Sequence, residues 1–224
     1  MKTRIPREGL PSRGFSLLCK LLKNAKRENW CQCHLADPQI PQLLEKVDAD
    51  VAEKVRQGGC LHCSGKLHSA KYRRKPRGQP KQDWERDQEV YRASFCCDQD
   101  GCRKRHTPPS VRFLGRKVYW GFVVVLVAAM QHGITPPRLH ALRESLGVAR
   151  RTVEHWREWW LHTFVQSPFW SVARARFSPP IDLKTLPLSL CEAFGVEERR
   201  DRLLALLQFL SPITTGSIPL GWSM

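Results

Sequence analysis

Cys60-Leu61-His62-Cys63 and Cys97-Asp98-Gln99-Asp100-Gly101-Cys102 are the residues of this chain whose types and spacing could do chemistry. Each is a short turn offering two thiols, and the stretch between them is long enough to fold back on itself. Two such knuckles supply the four thiolates of a tetrahedral zinc site, and a shell closed by four protein ligands is structural, not catalytic. Cys60 and Cys63 form one clear pair. In the second knuckle Cys102 is clear, while Cys96 and Cys97 compete. Cys97 is favoured because it makes the shorter C-x4-C turn and leaves Cys96 to face a small core. His62, His68 and His106 are the substitutes if one thiolate points away. The competing reading is a set of buried free cysteines. Nine cysteines, an odd number unevenly spaced, suit metal binding in a reducing compartment better than a disulfide framework. Cys31-Gln32-Cys33-His34 has no partner pair and is read as incidental.

The second constellation is basic and helical. Residues 139–156 read as two helices around a turn at Gly147. Leu139, Leu142, Leu146 and Val148 pack the first helix and the turn. Val153, Trp156 and Trp160 fall at i, i+3 and i+7, the inner stripe of the second helix. The outer face then carries Ala149, Arg150, Arg151, Glu154, His155 and Glu158. A recognition helix sets its N-terminal residues against base edges, so Arg150 and Arg151 are the expected contacts, with His155 behind them. The bland alternative is a helical hairpin with a solvated charged face.

These motifs sit on a chain of 224 residues with net charge +16. That length holds one or two small domains, and the charge implies a polyanionic partner, most simply a phosphate backbone. The basic loop 71–81 contributes Arg73, Arg74 and Lys75, and the second knuckle adds Arg103, Lys104 and Arg105; these are expected to grip phosphates. The apolar run 118–130 is too short for the roughly 20 residues of a bilayer span and reads as a buried helix. No membrane partner and no secretory signal are expected, which places the protein in the cytoplasm.

The elements that must position these residues define an α+β chain: a small β zinc ribbon, then an all-α helix-turn-helix module and a short helical tail. Residues 1–57 read as a basic helical region, with Phe15, Leu18 and Leu22 on one face of a first helix. A second helix over 38–57 has Leu43, Leu44, Val47, Val51 and Val55 on its apolar side and ends at Gly58-Gly59. Residues 58–117 are the ribbon, with strands over 91–95 and 111–119. Residues 118–162 are the helical module. Residues 163–224 are the tail, with short helices near 186–194 and 197–210, and Leu203, Leu204, Leu206, Leu207 and Leu210 folding back on that module. Trp156, Trp159, Trp160, Phe164, Phe169 and Trp170 are read as the seam between module and tail, not as a stacking platform for bases.

The order of parts over residues 58–162 resembles the N-terminal region of zinc-ribbon transposases of bacterial insertion sequences. The features that carry it are the knuckle pair, Arg103-Lys104-Arg105-His106-Thr107, the strand ending Gly115-Arg116-Lys117, the apolar helix and GITPPRLHALRESLGVARRTVEHW. The resemblance implies Cys60, Cys63, Cys97 and Cys102 as zinc ligands and a reading helix around Arg150 and Arg151. It also implies double-stranded DNA as partner. The departure is the catalytic domain: Asp182, Glu192, Glu197, Glu198 and Asp201 crowd into one short region and cannot come from the separate strands that a two-metal site needs. A DNA-binding protein without its own catalytic centre is expected, working beside a separate transposase or recombinase subunit. An RNA-binding ribbon and a protein-interaction adaptor are the alternatives.

Overall fold

The computed structural model describes residues 37, 39–74, 90–114, 119–128 and 136–215. The expected N-terminal helix and the Cys31–His34 cluster lie outside them. Helix α1, Gln39–Gly58, starts where the Asp37 carboxylate accepts the Gln39 N–H at 2.8 Å. It ends at Gly59, whose φ of +72° suits glycine. Its buried stripe is Ile40, Leu44, Asp48 and Ala52, one residue every four. The expected apolar side is therefore displaced: Leu43, Val47, Val51 and Val55 are only half-buried, and a carboxylate occupies the centre of the buried face. Asp48 is tolerated there because Ser110 Oγ, the Val111 N–H and Arg112 Nε all donate to it, at 2.6, 2.7 and 3.0 Å.

Five short strands follow: β1 Leu67–Ser69, β2 Tyr72–Arg74, β3 Val90–Arg92, β4 Phe95–Cys97 and β5 Arg105–His106. One sheet has the order β1-β4-β5 and a second pairs β2 with β3, all antiparallel. Leu67 faces Cys97 and Tyr72 faces Arg92, so the register does not slip between the two sheets, and the Ala70 N–H to Ser94 carbonyl bond bridges the gap. The two are successive stretches of one β-ribbon. The single expected strand over 91–95 is broken at Ala93-Ser94. The ribbon also changes its buried face along its length. Leu67, Phe95 and Cys97 are inside at one end; Arg92 and Ser94, of opposite parity, are inside further along.

The expected strand over 111–119 is instead a hairpin. Strand β6, Phe113–Leu114, pairs with β7, Tyr119–Trp120, and the Phe113 and Trp120 rings stack with centroids 5.7 Å apart. Helix α2, Gly121–Ala128, is buried on every face, which an all-apolar helix requires. Around it pack α3 (Pro136–Leu146), α4 (Arg150–Glu158), α5 (Pro168–Ala173), α6 (Leu188–Glu192) and α7 (Arg199–Leu210). Helix α4 runs on into a π-helical stretch, Trp159–Phe164. Leu203, Leu206, Leu207 and Leu210 are buried in the same core, so the tail completes the helical module; Leu204 is half-buried. Trp156, Trp160, Phe164 and Trp170 are inside it too.

The hydrophobic residues form two clusters. The larger surrounds α2, and the smaller joins Ala52, Cys60, Leu67, Phe95 and Cys97. Helix α1 spans both, with Ile40 and Leu44 in the first and Ala52 in the second. Among the described residues, no helix is long and apolar enough to cross a membrane.

Candidate metal centre and nucleic-acid interface

The sulfur atoms of Cys60, Cys63, Cys97 and Cys102 all lie within 4.8 Å of one another. Across the two knuckles, Cys60 and Cys102 are 3.7 Å apart and Cys63 and Cys97 are 3.4 Å apart. A tetrahedron with arms of about 2.3 Å has edges of roughly 3.8 Å. The spacing is that of ligands around one ion and is too wide for S–S bonds, and all four cysteines are free thiols. The four could hold a metal ion.

The two knuckles repeat one backbone design. The Cys60 N–H donates to the Gly65 carbonyl, and the Cys97 N–H donates to the Lys104 carbonyl, in each case two residues past the second cysteine. The residue after each second cysteine is left-handed: Ser64 at φ 58° and Arg103 at φ 43°. This curl turns successive N–H groups inward, toward sulfur. Gly65 lies where the knuckles meet; a Cβ there would stand 3.1 Å from Cys97 Sγ.

The thiols are unequal. Burial opposes ionisation of Cys60, but N–H donors from His62 and Cys63 and contacts with His106 and Cys102 outweigh it and hold this thiol at about 5. Burial, reinforced by Cys63, Cys60 and Cys102, pushes Cys97 up to about 12 against the Gln99 N–H. Cys63 is also raised: the Gly65 N–H and Cys97 favour its thiolate, but burial, Cys102 and Cys60 outweigh them. Four thiolates this close repel one another, and a cation at their centre is what allows all four to ionise together.

The choice between Cys96 and Cys97 is decided by strand alternation, and not for the reason expected. Cys97 points inward to the cluster. Cys96 is half-exposed, with its thiol 3.5 Å from the Arg103 carbonyl, and His68 and Arg105 are its cross-strand partners. Of the three histidines, His62 and His68 are exposed. His106 is buried with Nε2 3.2 Å from Cys60 Sγ, a contact outside the four-sulfur group.

The basic residues divide by what surrounds them. On α4, Arg150, Arg151 and His155 are exposed, as are Ala149, Glu154 and Glu158, while Val153 and Trp156 are buried. Gly147, at φ +65°, makes the turn between α3 and α4. Arg150 pairs with Glu154 at 2.7 Å and Arg103 pairs with Asp100. Lys104 and Arg105 are exposed beside the second knuckle, and Arg73 is exposed on β2. Arg74 contributes backbone to β2, and Lys75 lies outside the described residues. Asp182, Glu192, Glu197, Glu198 and Asp201 are exposed, and Asp182 accepts the Lys184 N–H at 2.9 Å.

Sequence reasoning missed the polar network between α1 and the ribbon. Arg112 donates from Nε to Asp48, from Nη1 to Glu45 at 3.1 Å and from Nη2 to the Tyr91 carbonyl at 2.8 Å. Arg92 reaches the carbonyls of Pro108 and Thr214, both at 3.1 Å. A carboxylate four residues from Leu44 and from Ala52 was the available signal. Comparison with known proteins finds no matching family model, no similar curated protein and no similar solved structure.

Proposed function

We propose that this chain is a DNA-binding protein of the mobile-element type, in which Cys60, Cys63, Cys97 and Cys102 hold a structural zinc ion. The observation that carries the reading is the clustering of these four sulfurs in two matching knuckles on a chain of net charge +16. An all-thiolate tetrahedral set favours zinc over harder cations, and four protein ligands leave no coordination position for a substrate. The zinc would hold the knuckle that presents Arg103, Lys104 and Arg105 to phosphates. Arg150 and Arg151 lie at the exposed start of α4, where a helix entering the major groove meets base edges, and His155 is exposed further along the helix. Arg150 would exchange its Glu154 partner for DNA, while Arg151 offers the other guanidinium of the pair. Strand cleavage would be left to a separate transposase or recombinase subunit, with the protein on the bacterial nucleoid.

The test is selection from a randomised duplex pool by the zinc-loaded protein at physiological salt. An enriched motif that is lost in the Arg150→Ala, Arg151→Ala double variant supports the reading. An enriched motif that survives the double variant removes α4 as the reading helix. No enrichment, together with preferential retention of single-stranded RNA in a parallel binding assay, replaces the DNA reading with the RNA one.

A further inference from the structure

Helix α1 and the β-ribbon do not close on each other along their whole length. Between them runs a cleft of about 460 Å³. Its helical wall opens at Ala49 and Ala52, small residues flanked by Glu45 and Glu53. Its ribbon wall carries Lys71 and Tyr91. The Tyr91 side chain is 40% exposed. Trp156, Trp159, Trp160, Phe164, Phe169 and Trp170 are buried or half-buried in the helical core and present no open ring face, in contrast to Tyr91.

The cleft is preformed. The Arg112 guanidinium is buried behind it and joins both walls, holding Asp48 and Glu45 of the helix and the Tyr91 carbonyl of the ribbon. That bridge sets the cleft width before any ligand arrives, which reduces the ordering cost of binding. The wall carboxylates do not make the cleft anionic. Glu45 is paired with Arg112 and Glu53 with Arg56, and lining cations outnumber carboxylates four to three. Arg73 lies directly across the ribbon from Tyr91 and is exposed. An aromatic face, exposed cations beside it and a rigid cleft of this size match a site for a base and its phosphate, since stacking tolerates any base and the cations track the backbone.

We propose that this cleft receives an unpaired nucleotide of a DNA strand, its base stacked on Tyr91 and its phosphates against Lys71 and Arg73. The inference rests on the nucleic-acid reading above and adds to it a second site, for a single strand, lined by α1 and the ribbon and by no residue of α4. The site would engage a frayed or gapped end of the DNA held by α4.

The experiment measures fluorescence anisotropy of the zinc-loaded full chain with a single-stranded oligodeoxynucleotide and with a duplex. It is run for the unaltered protein, Tyr91→Ala, Tyr91→Phe and Lys71→Ala. Tyr91→Ala is expected to weaken single-strand binding about tenfold or more with little change for the duplex. Tyr91→Phe should restore it, and Lys71→Ala should reduce its salt dependence. Photocrosslinking of the unaltered protein to a 5-iodouracil strand should mark Tyr91, a readout that needs no variant to fold. Equal single-strand affinity of Tyr91→Ala, or a crosslink mapping elsewhere, overturns the cleft assignment while leaving duplex recognition intact. Stronger Tyr91-dependent binding of an RNA strand overturns the DNA assignment. If the unaltered protein binds neither oligonucleotide, both the cleft and the function proposed above fall.

Discussion

Gly65 illustrates how single atoms set this structure. A Cβ on it would lie 2.5 Å from Gln99 Cγ and 3.1 Å from both Asp98 Oδ1 and Cys97 Sγ, and would press on the second knuckle. Gly65→Ala should therefore weaken metal binding, read by competition with a chromogenic chelator. Gly58→Ala, where a Cβ meets nothing within 4 Å, should leave it unchanged. Arg112 is the second such residue. Arg112→Met strips the buried Asp48 carboxylate of its guanidinium and should cost about 3–5 kcal/mol in urea unfolding of the metal-loaded protein. A loss below about 1 kcal/mol would mean that Ser110 and the Val111 N–H suffice. Cys191 gives a pH signature. Burial pushes its thiol up to about 12, with Arg202 and Glu192 as smaller, opposing influences. Above pH 9 the unfolded chain loses this proton and the folded chain keeps it, so folding stability falls between about pH 9 and 12. The slope is about 1.4 kcal/mol per pH unit for this group, and Cys191→Ala should remove it from the alkaline stability curve.

At the scale of elements, the ribbon is the dependent part. Its strands are two or three residues long, and two of the five buried members of its cluster, Cys60 and Cys97, are candidate ligands. A core so small would gain most of its stability from an ion bound by the four cysteines, whereas the cluster around α2 draws on α1 and all five later helices. Chelation should therefore expose the amides of 60–106 to hydrogen exchange and leave those of α2, α4 and α7 protected. Equal loss in both regions would show a single cooperative unit. The elements were unevenly legible in the sequence. The extent of helix α1 follows from its glycine end and that of the tail helices from their leucine periodicity, whereas the buried face of α1, centred on Asp48, does not follow from its apolar residues. The β6–β7 hairpin does not, because residues 111–119 read locally as one strand; the pairing of Phe113 with Trp120 and the stacking of their rings are contacts that local pattern does not record.

At the scale of the molecule, charge is the dominant property. Net +16 on 224 residues should make duplex binding fall steeply with salt, and a titration of affinity against salt concentration gives the number of phosphates engaged as its slope. Neutralising Lys104 and Arg105 together should reduce that slope by about two if both contact phosphates. An unchanged slope would move the phosphate surface away from the second knuckle.

What the sequence determined by itself was chemical and local. It set the four thiols at knuckle spacing, the excess of positive charge, the burial of the apolar run that became α2 and the exposed basic face of α4. Spacing and periodicity encode these because each depends on residues a few positions apart. The tertiary structure alone decided which of two adjacent cysteines turns inward, since that depends on which ribbon face is covered. It also brought Asp48 to Ser110 and Arg112, more than sixty positions away in the chain, and left Tyr91 exposed over a cleft. Those outcomes depend on what packs opposite each residue, and a one-dimensional pattern does not record a neighbour supplied by another element.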